Sequence, residues 1–147
     1  MFNIYDISAG WMDISFGERK TEDSDNSDVF SLSYIDDVKD EFDNLFNLKG
    51  DETKKYEFDL EGTVLEVETS LDNDYIVISC DHKYSDDKPS VYKYFFKYED
   101  FIRSYIKEIE THKKDYIKNF VYGDDEEGAW NNKDYIELQK KGGILSD

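Results

Sequence analysis

The sequence predicts an α+β fold: an antiparallel sheet of about five to six strands with helices packed on one face. Three observations predict it. Short runs of period-two alternation follow one another closely, one long stretch repeats apolar residues at three and four, and polar connections separate these segments. Met12, Ile14 and Phe16 alternate with Asp13 and Ser15, a first strand closed by Gly17. Glu18 to Asp28 is polar and reads as an exposed connection. Phe30, Leu32 and Tyr34 then alternate with Ser31 and Ser33, a second strand forming a hairpin with the first.

From Asp36 the period lengthens. Val38, Phe42, Leu45 and Phe46 fall at helical spacing, and Gly50 is the expected stop. Tyr56, Phe58 and Leu60 alternate with acids, and Glu61-Gly62 makes a tight turn into Leu65, Val67 and Thr69, a second hairpin. Asp72-Asn73-Asp74 is a further turn, and Tyr75 to Cys80 is a nearly continuous β-favouring run, as in a central strand. After the polar loop Asp81 to Ser90, Tyr92, Tyr94 and Phe96 alternate with Lys93 and Lys97 in a last strand. Phe101, Ile102, Tyr105, Ile106, Ile109, Tyr116, Ile117 and Phe120 predict one long amphipathic helix covering the sheet. Trp130, Tyr135, Ile136 and Leu138 predict a short terminal helix. No repeat or linker divides the chain, so one α+β domain over 1–147 is expected. The sheet face away from the helices would carry Asp13, Ser15, Glu57, Asp59, Glu61, Glu66, Glu68, Lys93 and Lys97, open and acidic.

Composition narrows the function. Thirty-six acids against 18 bases give a formal charge of −18, where a magnitude of roughly 2 to 8 suffices for solubility. Such a field repels phosphates and anionic membrane surfaces and steers basic proteins inward, so a basic protein partner is expected, with no direct nucleic-acid binding and no membrane. Solubility alone, or an organism whose proteins are acidic throughout, is the competing explanation. Cys80 is the only cysteine, no apolar run approaches a bilayer span, and Met1 to Asp6 lacks the pattern of a signal peptide; these predict a cytoplasmic protein.

No catalytic set is legible. The histidines are His82 and His112, and only Cys80 with His82, two residues apart on one strand face, hints at a Cys/His pair. Two ligands fall short of a zinc site, and the most calcium-like string, Asp23 to Asp28, lacks the glycine and the terminal glutamate of a calcium loop, so no metal and no cofactor are expected. Helix capping and the helix dipole account for Asp36, Asp37 and Asp40. They do not account for Asp124, Asp125, Glu126 and Glu127 directly before Trp130, where like charges stand beside an aromatic anchor. These five residues, followed by Asp23, Asp25 and Asp28, are the candidate partner-binding residues; the bland alternative has Trp130 capping the core beneath a solvated turn.

The segment Gly10-Trp11-Met12-Asp13-Ile14, then Phe30-Ser31-Leu32-Ser33-Tyr34 running into the helix at Asp36 to Leu48, resembles an uncharacterised bacterial family associated with toxin immunity genes. Tyr94-Phe95-Phe96-Lys97-Tyr98-Glu99-Asp100-Phe101 and the closing Trp130 before Tyr135-Ile136-Glu137-Leu138 extend the resemblance over most of the chain. The high acidity and the Asp-rich and Lys-rich loops depart from the pattern. The resemblance implies a small non-catalytic protein that neutralises a cognate basic toxin, often a nuclease, and it carries over no catalytic residues. A second reading is a nucleic-acid mimic that occupies DNA-binding or restriction proteins, with acids along one extended surface. An enzyme is the third, and it would need a pocket at His82 or converging carboxylates.

Overall fold

The structure, a computed structural model, describes residues 1–17, 29–83, 91–121 and 126–146, the side chains of 126 and 127 excepted. The α+β class holds, but the strands form two antiparallel sheets rather than one. β1 (Asn3–Ser8), β2 (Trp11–Ser15) and β3 (Val29–Ser33) make a three-stranded sheet in that order. After α1 (Val38–Phe46), β4 (Thr53–Asp59), β5 (Val64–Asp72), β6 (Tyr75–Lys83) and β7 (Val91–Lys97) make a four-stranded meander. The helix between β3 and β4 divides the run of strands. Phe30 of the first sheet packs against His82 and Tyr92 of the second, at ring-centroid distances of 5.4 and 6.0 Å.

Strand β1 is absent from the sequence reading for a physical reason. The β1–β2 register shifts between Ile4 and Asp6, so the buried residues Ile4 and Ile7 stand three apart and the alternation of a strand is broken. The β1–β2 turn is the two residues Ala9 and Gly10, both at positive φ (52° and 80°), the signature of a primed hairpin turn. The expected Glu61-Gly62 and Asn73-Asp74 turns are where the sequence puts them, with Leu60 N–H bonded to Thr63 O at 2.9 Å and Asp72 paired with Tyr75.

The long helix is interrupted. α2 (Tyr98–Thr111) ends at His112, and α3 (Lys113–Phe120) begins just beyond it. The apolar stripe explains the break: no apolar residue lies between Ile109 and Tyr116, so packing does not hold one continuous axis there. The terminal helix is likewise two, α4 (Glu126–Trp130) and α5 (Lys133–Lys141), separated by Asn132, whose side chain caps α5 by accepting from Tyr135 N–H at 2.7 Å. Helix α2 packs on β1, β6 and β7, α1 on β4 and β5, and α5 on both helices. The core between them is largely aromatic, with Phe2, Phe16, Phe42, Phe46, Phe101 and Tyr105 all buried. No helix among the described residues is long and apolar enough to cross a membrane.

The outward face of the four-stranded sheet is polar but charge-balanced rather than acidic. Lys83 pairs with Glu57 and Glu66, and Lys55 lies 3.7 Å from both Glu66 and Glu68. Ser15, expected on an open face, is buried and bonded to Tyr5 Oη at 3.1 Å.

Candidate functional site

The described surface that gathers acids, exposed apolar groups and a cleft lies where β3 enters α1. Tyr34 N–H bonds Gly10 O at 2.9 Å, and the Tyr34 ring lies so close over Gly10 that a Cβ there would sit 2.7 Å from it. Glycine at this turn is thus required by both backbone sign and space. The turn leaves Tyr34 43% and Ile35 52% exposed. Next in sequence, Asp37 and Asp40 line an open cleft of about 370 Å³ whose other walls are Tyr116, Phe120, Val121, Gly128 and Ala129. Tyr116 and Phe120 stack at 5.0 Å, one helical turn apart, to make the apolar wall.

Asp40 stands in the first turn of α1, where the helix dipole favours an acid, and accepts from Asn132 Nδ2 at 3.0 Å, but side-chain capping does not account for Asp36 or Asp37. Asp37 is the N-cap of α1 yet makes no side-chain cap bond. Asp36 turns away from the helix: one oxygen accepts from Tyr56 Oη at 2.5 Å and the other from Asp59 N–H at 2.8 Å, closing the edge of β4. Burial, and then the carboxylates of Asp36, Asp37 and Asp40, raise the Glu41 pKa above its ordinary value.

Beneath the cleft runs a buried ionic network. Lys39 and Asp43 are fully buried on successive turns of α1, with Nζ 2.6 Å from Oδ2. The ammonium also donates to Ala129 O and sits 3.6 Å from the Tyr135 ring centroid and 5.0 Å from that of Trp130. Asp43 accepts from Tyr105 Oη at 2.7 Å and Asn132 Nδ2 at 2.9 Å. Burial lowers the Lys39 pKa and raises that of Asp43, against the mutual attraction of the pair. The network ties α1 to α4 and α5, and so holds the floor of the cleft in place.

Of the residues expected to bind a partner, Asp23, Asp25, Asp28, Asp124 and Asp125 lie outside the described residues, and Glu126 and Glu127 are described by backbone alone, in the first turn of α4. Trp130 is 8% exposed, set edge-on against Tyr116 at 5.7 Å, so it stands in the core rather than at the surface as an anchor. Its Nε1 has no hydrogen-bond partner among the described residues. Val121 and Gly128, on either side of the acidic run in sequence, both line the cleft. Sequence reasoning missed Tyr34 and Ile35 as surface groups; the signal was Ile35, apolar but out of phase with the strand before it.

Cys80 and His82 do share the inward face of β6, but the thiol is fully buried and the imidazole packs on Phe30. Burial pushes the Cys80 pKa up, away from the reactive thiolate. A thiol reagent is therefore expected to leave the native protein unlabelled and to label it once urea unfolds it, followed by intact mass. Fast native labelling would show that β6 opens. Among the described residues, no three His, Cys, Asp or Glu side chains gather as a metal site. In comparison with known proteins, the chain matches no family model, no curated protein and no solved structure.

Proposed function

We propose that this chain is a non-catalytic binding protein that neutralises a basic bacterial toxin, a nuclease being the simplest case, through the acid-lined cleft at the start of α1. The observation that carries the reading is that Asp37 and Asp40 line this cleft while exposed Tyr34 and Ile35 stand just before them in the chain, in a protein of net charge −18. Charges at such a rim accelerate and orient encounter, and the apolar groups supply contact area that is desolvated in the complex. The nucleic-acid-mimic reading calls for an extended row of uncompensated acids. The outward sheet face instead interleaves Glu57, Glu66 and Glu68 with Lys55 and Lys83, which favours a local protein interface.

The test is affinity capture on the immobilised chain with elution in salt steps, run beside an Ile35→Asp/Asp37→Lys variant whose fold is checked by circular dichroism. Both positions are exposed, so the fold should survive. One basic protein held by the wild type to high salt, and released at least about tenfold more readily by the variant, is the expected result. Activity of that protein alone and with the chain added then measures neutralisation. A broad set of nucleic-acid-binding proteins leaving together at moderate salt would support mimicry, and retention equal in both forms would remove the cleft as the interface.

A further inference from the structure

The C-terminal ends of α1 and α5 meet in a polar cluster away from the cleft. At its centre Asn47, 4% exposed, turns the two halves of its carboxamide toward opposite charges. Nδ2 donates to Glu137 Oε2 at 2.6 Å and to Asp134 Oδ1 at 2.8 Å, while Oδ1 accepts from Lys141 Nζ at 2.5 Å. The ammonium also donates to Leu48 O at 2.9 Å and to Tyr98 Oη at 3.4 Å. Asp134 and Glu137 share a face of α5 with Lys141 and could pair with it directly, yet a neutral amide comes between them. Charge pairing does not explain that arrangement. Transfer of the amide from one nitrogen to the other needs it.

We infer that Lys141 and Asn47 join through a side-chain amide bond: Nζ bonds to Cγ, the Cγ–Nδ2 bond breaks, and ammonia leaves. With the ordinary angle at a carbonyl oxygen, the 2.5 Å contact places Nζ roughly 3.3 Å from Cγ, within the roughly 3–3.5 Å of a near-attack geometry. Burial, and then Lys49 and Lys54, lower the Lys141 pKa below its ordinary 10.5 against the pull of Glu137 and Glu52, which favours the neutral amine. Once one proton has gone to solvent, Leu48 O and Tyr98 Oη hold the other two, and the lone pair takes the direction of Asn47. The bond from Asn47 holds the Glu137 pKa below its ordinary value, so that side chain stands as a carboxylate against Nδ2. After attack Nζ and Nδ2 share one carbon, and Glu137 carries a proton from the first to the second. Amine and carboxamide become amide and ammonia, with nothing oxidised or reduced. The link would close the loop from 47 to 141 and restrict the unfolded chain as a disulfide does. It involves none of the residues of the α1 cleft, so it stands or falls independently of the proposed function.

The intact mass of the full chain, measured under denaturing conditions, tests it. The wild type is expected to be lighter than its sequence by one ammonia, and its tryptic peptides containing Asn47 and Lys141 to run as one branched species, uncut after Lys141. Lys141→Arg and Asn47→Ala are expected to show the full mass of their own sequences, with circular dichroism checking their folds. Glu137→Gln keeps an acceptor for Asn47 Nδ2 but no base, and in a time course from induction it is expected to acquire the link at least about tenfold more slowly. A wild-type chain at full sequence mass, both when purified and after prolonged warm incubation, would overturn the inference. So would an ammonia deficit that survives Lys141→Arg, the mark of an asparagine closing on its own backbone. Linkage of Glu137→Gln at the wild-type rate would overturn the proton transfer assigned to Glu137.

Discussion

Lys39→Met lowers stability by about 3–5 kcal/mol, because it leaves the Asp43 carboxylate buried without its countercharge. Adding Asp43→Asn to that variant recovers most of the loss. The asparagine side chain still offers Tyr105 Oη an acceptor while carrying no charge into the core. Urea unfolding of wild type, single and double variants measures both effects. Equal losses in single and double variants would assign the cost to packing of the lysine stem and to its contacts with Tyr135 and Trp130 rather than to the charge.

The pH dependence has a defined sign. The folded-state pKa of Asp43 is raised above its ordinary 3.8, so its contribution is fully present below that value and lost as pH rises through the folded pKa. That of Lys39 is lowered from 10.5, so its contribution is fully present above that value and lost as pH falls through the folded pKa. Between the two folded-state pKa values, where both groups are charged, neither contribution is present. The double variant is therefore expected to compare best with the wild type in that window, and to lose ground as pH falls toward 3.8. A difference that is flat with pH would mean that the pair titrates alike in the folded and unfolded chains.

Phe2→Ala is expected to cost about 3–5 kcal/mol, whereas Phe95→Ala stays within about 0.5 kcal/mol. Phe2 is 1% exposed and meets five aromatic rings, those of Phe16, Phe42, Phe46, Phe101 and Tyr105, at 5.0–6.5 Å, all edge-on. Removing it leaves a cavity bounded by large rings that cannot close over the gap. Phe95 is 61% exposed and leaves none. Chemical denaturation of the two variants gives the comparison. Similar costs would mean that Phe2 packs less tightly than its ring contacts indicate.

Local chemistry made most elements legible from the chain itself. Period-two alternation marked β2, β3, β4, β5 and β7, a continuous β-favouring run marked β6, and apolar spacing marked α1 and the α2–α3 stretch, because each of those faces one core on one side only. Glu61-Gly62 and Asn73-Asp74 marked their turns through Gly62 and Asn73, residues that tolerate positive φ. The charge of −18 was legible in the same way, since it is a property of composition. Tertiary structure decided the rest. Strand β1 forms although a register shift erases its alternation, because β2 supplies its pairing and the aromatic core receives Phe2 and Ile4. The helix breaks at His112 where no apolar residue holds one axis. The helix between β3 and β4 was legible, but that the strands on its two sides form two sheets rather than one is a pairing in space that no local window contains. Trp130 reads in sequence either as an anchor beside acids or as a cap on the core, and it turns inward because the Lys39 ammonium and the Tyr116 ring, distant in the chain, await it there. Sequence thus determined what each segment prefers, and tertiary structure decided which faces meet, because burial is set by neighbours that only folding brings together.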